Sequence, residues 1–93
     1  MRVVDDNHKL ALVNDQGMTL AQMIYEIIQN GDLWVTHTYT NPDYRGQGLA
    51  GQLFKILVDK ARQRKVRIVS NCSYVSHRFN MHPDRYQDVI GED

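Results

Sequence analysis

Ninety-three residues, 42% apolar and 24% charged, suffice for one globular domain and leave no room for separate cofactor and substrate domains. Eleven basic side chains balance eleven acidic ones, so no overall field recruits DNA or an anionic membrane. A single cysteine, Cys72, excludes an internal disulfide and a CxxC metal site.

No apolar run approaches the roughly 20 residues of a membrane span, and residues 1–6 carry no apolar segment of the signal-peptide kind. The expectation is one cytoplasmic domain over residues 1–93, with 1–6 and 91–93 as flexible tails.

Residues 8–13 read as a short strand closed by the turn Asn14-Asp15-Gln16-Gly17. Residues 18–28 follow as a second strand, since Ala21, Met23, Tyr25 and Ile27 alternate with Gln22 and Glu26. After Gln29-Asn30-Gly31-Asp32, residues 33–40 (LWVTHTYT) are rich in β-branched and aromatic side chains and predict a third strand. Short turns between the three predict an antiparallel meander.

Asn41-Pro42-Asp43 breaks that strand. Leu49, Leu53, Leu57 and Ala61 then recur every four residues, opposite Gln52, Lys55, Asp59, Arg62 and Gln63. This spacing predicts an amphipathic helix over 47–64, ending near Lys65. Residues 66–70 predict a fourth strand and 73–81 a second helix, which Pro83 must follow. The predicted fold class is α+β (α/β), a mixed, mostly antiparallel sheet in the order β-β-β-α-β-α with a central β-α-β unit. Trp34 and Phe54 are expected in the core.

The glycine loop carries the chemistry. Residues 46–51, Gly-Gln-Gly-Leu-Ala-Gly, match the dinucleotide pattern G-x-G-x-x-G, and Arg45 to Ala50 match a second phosphate-binding pattern, [Q/R]-x-x-G-x-[G/A]. Glycines let backbone N–H groups approach an anion, and the helix N-terminus that follows supplies unpaired donors. A Walker A loop is excluded because no Gly-Lys-Ser/Thr follows. The dinucleotide reading needs an acidic residue about twenty positions on, at the end of the next strand. Val69-Ser70-Asn71-Cys72 has none there, and a meander this short cannot supply a doubly wound parallel sheet.

What remains is a pyrophosphate loop after a meander. His37-Thr38, the loop Arg45 to Ala50, the segment Ser70-Asn71-Cys72-Ser73-Tyr74-Val75 and the tail His82-Pro83-Asp84-Arg85-Tyr86-Gln87-Asp88-Val89 come in that order. Together they resemble the GCN5-related N-acetyltransferases, and most closely their small subgroup of about one hundred residues, over residues 8–90. The larger members carry one or two helices between the first two strands. Here only residues 14–17 intervene, which implies an open acceptor side, suited to a protein or peptide amine or a loosely selected small amine.

The resemblance implies acetyl-coenzyme A as the substrate that donates the acetyl group, and an amine as its acceptor. The backbone amides of Gln47, Gly48, Leu49, Ala50 and Gly51 would hold the pyrophosphate, with Arg45 and Gly46 flanking it. Gly48 and Ala50 are positions where a bulky side chain would meet the cofactor. Backbone groups of Thr38, Tyr39 and Thr40 would bond the pantetheine, as would Asn71. Cys72 reads either as a small buried hydrophobe or as an acid/base or transiently acetylated group beside the thioester, with His37 as its partner. Direct attack by the amine ranks ahead of a covalent Cys72 intermediate.

Tyr74 reads either as a packing aromatic or as the acid that protonates departing coenzyme A. Alternation places His37 with Leu33, Val35 and Tyr39, as a core histidine or a base. Glu26 is a candidate base acting through water, and His77 and Arg78 are candidates near the adenosine phosphates.

His8, His37, His77 and His82 lack metal-ligand spacing, so no metal is expected. Arg62, Arg64, Lys65 and Arg67 read as a solvated helix end that favours the helix dipole. The reading is therefore acetyl-coenzyme A-dependent N-acetyltransfer to a primary amine by a monomer or homodimer, without membrane or nucleic-acid partners. A non-catalytic coenzyme A-binding module is the alternative, and a nucleic-acid accessory role using the basic cluster comes third.

Overall fold

A computed structural model describes residues 1–91 and shows five strands and three helices among them. The strands are β1 (Arg2–Asp5), β2 (Lys9–Val13), β3 (Thr19–Ile27), β4 (Leu33–Thr40) and β5 (Ile68–Ser70). The helices are α1 (Leu49–Arg64), α2 (Ser73–Met81) and α3 (Pro83–Tyr86), and Pro42–Tyr44 forms a single 3-10 turn. The sheet runs β1-β2-β3-β4-β5, antiparallel except for the parallel pair β4–β5 that α1 bridges. The α+β class and the central β-α-β unit are as expected from the sequence.

Local chemistry sets the connections. The Asn14 side chain accepts from the Gln16 and Met18 amides, closing the β2–β3 turn. Helix α1 buries Leu49, Leu53, Phe54, Leu57, Val58 and Ala61 and lies across β2, β3 and β4. Helices α2 and α3 join that layer through three mutually contacting rings, Phe54, Phe79 and Tyr86, with centroids 5.2–5.6 Å apart.

The termini differ from expectation. Residues 2–5 are not a tail but an edge strand on β2, and Asp5 fastens them to the rest of the fold. Lys60 on α1 donates to Asp5 at 2.7 Å, to Asn7 at 2.7 Å and to the Tyr25 hydroxyl, which itself donates to Asp5 at 2.6 Å. Val3-Val4 between charged residues gives too short an alternation to predict this, and the partners lie 20 and 55 positions away. At the other end the Gly91 amide donates to the Ile68 carbonyl at 2.8 Å, so residue 91 is held against β5. Of the expected tail, residues 92 and 93 lie outside the described residues.

Three boundaries also shift. Helix α1 begins at Leu49 rather than residue 47, because Gly48 is its N-cap. Lys65 takes a left-handed conformation and the Val66 amide bonds the Ala61 carbonyl, so β5 starts at Ile68 rather than 66. Pro83 begins the short helix α3, so the observed order is β-β-β-β-α-β-α-α.

The correction that matters most for function lies inside β4. Ile24 pairs with His37 but Tyr25 pairs with Val35, which makes Thr36 an extra residue, a β-bulge. Alternation changes phase there. Leu33 and Val35 face the core before the bulge, and Thr38 and Thr40, opposite buried Met23 and Ala21, face it after. His37 and Tyr39, expected beside Leu33 and Val35, are exposed on the opposite face. Trp34, expected in the core, is half-buried on that same outer face, whereas Phe54 is buried as expected.

Candidate active site

The loop after β4 is built to end in bare amides. Asn41 accepts from the Asp43 amide at 3.0 Å and Pro42 starts the 3-10 turn, so the chain turns sharply out of the sheet. Gly46 and Gly48 then adopt φ of 84° and 74°, a region that side chains disfavour. A Cβ at either would meet nothing within 4 Å, so it is backbone conformation and not crowding that calls for glycine. No side chain caps α1 at Gly48, and the first amide bonded back to it is that of Gln52, at 3.1 Å. The amides of Leu49, Ala50 and Gly51 thus lack helical acceptors, with the positive end of the helix dipole behind them.

These amides open on a cleft of about 390 Å³ lined by Thr38, Thr40, Tyr44, Arg45, Gly46, Gly48, Leu49, Ala50, Gly51 and Tyr74. Its far wall follows from the sheet. Pairing of β4 with β5 ends at Val35 and Ser70, where the Asn71 amide donates to the Val35 carbonyl at 2.8 Å. Beyond that point the strands part. Thr38 and Cys72 meet across the gap, Oγ1 to Sγ at 3.1 Å. Cys72 is half-buried at the N-cap of α2. Ser70 holds that corner by donating to the Cys72 carbonyl at 2.9 Å and pairing with the Ser76 hydroxyl at 2.7 Å.

Tyr74, one turn into α2, closes the side of the cleft. Its hydroxyl accepts from Arg78 at 3.0 Å, which leaves its own O–H to donate. The Arg78 guanidinium also lies over the Phe54 ring, 4.9 Å from its centroid. Burial opposes the Arg78 charge, but bonding to the Tyr74 and Tyr86 hydroxyls outweighs it and holds the pKa above the ordinary guanidinium value. A Cβ on Gly51 would come within 3.1 Å of this guanidinium, so Gly51 serves close packing as well as the loop.

The structure therefore gathers Thr38, Thr40, Arg45, Gly46, Gly48, Leu49, Ala50, Gly51 and Tyr74 around one cleft, with Cys72 joined to it through Thr38. It does not bring His37 to Cys72, because the bulge turns His37 outward and sets Thr38 in that position. Tyr39 is turned outward with His37. Gln47 and Asn71 are exposed beside the cleft rather than in its wall, and Asn71 contributes a backbone bond. Glu26 is exposed and pairs with Trp34, beyond the bulge from Thr38. His77 is exposed. Tyr44 escaped the sequence reading. The available signal was an aromatic residue set in an otherwise polar loop immediately before Arg45.

The site thus combines a mixed sheet that splays at its parallel pair with an uncapped helix behind a glycine loop. The model of the GCN5-related N-acetyltransferase family matches residues 10–89, and the chain belongs to that family. Among solved structures, a GCN5-like candidate N-acetyltransferase from Staphylococcus aureus is 27% identical, with a TM-score of 0.78 over 99% of this chain and 89% of that one. The ribosomal-protein-alanine N-acetyltransferase of Brucella melitensis is 26% identical, with a TM-score of 0.60 over 89% of this chain and 59% of that one. The Escherichia coli ribosomal-protein-S18-alanine N-acetyltransferase shares the fold, at 21% identity and a TM-score of 0.55, over 67% of this chain and 39% of its own. The chain thus spans little more than half of one of these larger enzymes, and less of the other. No curated protein matches it.

Proposed function

We propose that the chain transfers the acetyl group of acetyl-coenzyme A to a primary amine. The observation that carries this is the continuity of one cleft, from the bare Leu49–Gly51 amides to the gap between β4 and β5 where Thr38 and Cys72 meet. Diphosphate suits the first end, since three amides, a helix dipole and Arg45 all favour an anion there. A pantetheine chain suits the second. Backbone groups of Thr38 and Thr40, past the last β4–β5 bond, are turned toward the gap and supply strand-like partners for its amides. Holding the thioester in that slot supplies the positioning that acyl transfer needs.

In the reaction, the amine nitrogen attacks the thioester carbonyl, a C–N bond forms, and the C–S bond breaks. The amine gives up one proton and the departing thiolate takes one. Tyr74 is the donor we assign, since it lines the cleft and its hydroxyl accepts from Arg78 while its own O–H is free to donate. No carboxylate or imidazole lines the cleft among the described residues, so the amine proton leaves to solvent. Cys72 shapes the acetyl end and is bonded to Thr38, and direct attack needs nothing more of it.

That same lack of a side-chain base favours the second reading, a module that binds coenzyme A without turnover. Release of free thiol from acetyl-coenzyme A separates the two. The panel of acceptors holds peptides with N-terminal alanine, after the named activities of the structural neighbours, together with lysine peptides and polyamines. Thiol release above the hydrolysis blank supports the transferase. Binding without release supports the module, and no binding of acetyl-coenzyme A refutes both.

A further inference from the structure

A second groove, of about 310 Å³, begins where the cleft ends. It runs along α1 toward α3, shares Gly51 with the cleft, and carries the cations Lys55, Arg62, Arg78 and Arg85 against a single acid, Asp59. Gly51, Lys55, Asp59 and Arg62 recur at the spacing of one helix face, so the stripe extends the first turn of α1 directly. Lys55 lies one turn, about 6 Å, from Gly51.

The cations are not equivalent. Arg62 is neutralised by Asp88, at 2.9 and 3.3 Å, and also holds the Arg85 carbonyl at 2.9 Å. Arg78 is committed to Tyr74 and the Phe54 ring on the shared wall. Lys55 and Arg85 are exposed and lie within 4 Å of no carboxylate among the described residues. Two unspent charges therefore line one concave surface, which shares Gly51 with the glycine-loop cleft.

Given the coenzyme A reading above, on which this step rests, the orientation of the ligand is constrained. With the pantetheine end in the β4–β5 gap, the groove that continues from Gly51 is a basic surface open to the adenosine end. Coenzyme A carries a phosphomonoester on the ribose 3′ oxygen, a dianion near neutral pH. We infer that Lys55 and Arg85 form the subsite for this 3′-phosphate and make the protein selective for coenzyme A over its 3′-dephospho form.

Calorimetric titration of the full chain with coenzyme A and with 3′-dephospho-coenzyme A tests this. The expected preference is roughly tenfold at low salt, shrinking as salt is raised. A Lys55→Ala, Arg85→Ala double variant should bind dephospho-coenzyme A as the unaltered chain does, which also reports that it is folded, and show less than about a twofold preference. Adenosine 3′,5′-bisphosphate competing better than adenosine 5′-monophosphate adds support independent of the pantetheine end. Equal affinity of the unaltered chain for the two cofactors overturns the subsite while leaving the coenzyme A reading intact. So does a preference that survives the double substitution. Binding of neither cofactor overturns the coenzyme A reading, and the subsite with it.

Discussion

Gly48 offers the sharpest separation of fold from site. Replacing it by valine puts a β-branched side chain at φ 74°, for which about 1–2 kcal/mol is the ordinary conformational cost. Reduced freedom of the unfolded chain offsets roughly 0.5 kcal/mol of that. No atom stands within 4 Å of the added Cβ, so no clash adds to it. The net loss is on the order of 1 kcal/mol, a fall in Tm of about 4–8 °C for a domain of this size. Binding should suffer far more, because the new methyls stand in front of the bare α1 amides. Losing two charge-assisted bonds, at about 1.5 kcal/mol or more each, weakens coenzyme A at least roughly a hundredfold. Gly17 supplies the control. It has φ 80° and open space around it, but sits in the β2–β3 turn away from the cleft. Gly17→Val should therefore match Gly48→Val in a thermal melt and match the unaltered chain in calorimetric titration. Undiminished binding by Gly48→Val, or an equal loss in both variants, refutes the cradle.

Three further outcomes follow from contacts described above. Lys60→Met removes the ammonium shared by Asp5, Asn7 and Tyr25, and should cost roughly 1–3 kcal/mol. Hydrogen exchange should quicken first in the β1 amides, and unchanged β1 protection would argue against the fastening role. Acid should loosen the same tie. Burial opposes the Asp5 charge, but the bonds from Lys60, Tyr25 and the Asn7 amide together hold its carboxyl below the usual value. The tie is then full above the unfolded carboxyl pKa of about 3.9, and is lost as pH falls through the lower folded value. Denaturant midpoints at neutral pH and near pH 3 should accordingly differ less in Asp5→Asn than in the unaltered chain. Equal differences would exclude Asp5 as a source. Finally, Cys72→Ser should retain thiol release within about threefold under direct attack. A loss of about a hundredfold or more, together with an acetyl-cysteine adduct seen by mass spectrometry in the unaltered chain, would replace that route by a covalent one.

Much of this arrangement was legible from residue order. Leu49, Leu53, Leu57 and Ala61 announced the helix and its buried face, since a four-residue apolar spacing over four turns has no other regular solution. The loop from Arg45 to Ala50 was legible because left-handed backbone leaves glycine as a trace in the sequence. The fastening of β1 was not, because it depends on Lys60, a residue indistinguishable by composition from any solvated lysine. Nor was the outward turn of His37. A bulge at Thr36 leaves no compositional mark, and period-2 reasoning carried past it assigns every later side chain to the wrong face. Tyr74 and Arg78 were visible only as neighbours at helical spacing, and their joint role awaited the placement of α2 against Gly51.

That bulge bears on insertions and deletions. Removing Thr36 from β4 would restore strict alternation with Val35, Thr38 and Thr40 still on the core face and His37 and Tyr39 still outside, because Ile24 and Tyr25 already pair with His37 and Val35. Thr38 would keep the face on which it meets Cys72. Exchange of Thr36 for another side chain should be tolerated as well, because its hydroxyl makes a single long bond, to the Ile24 carbonyl at 3.5 Å. The acetyl end of the cleft is thus encoded by which β3 residues Val35 and His37 pair with, more than by what fills position 36.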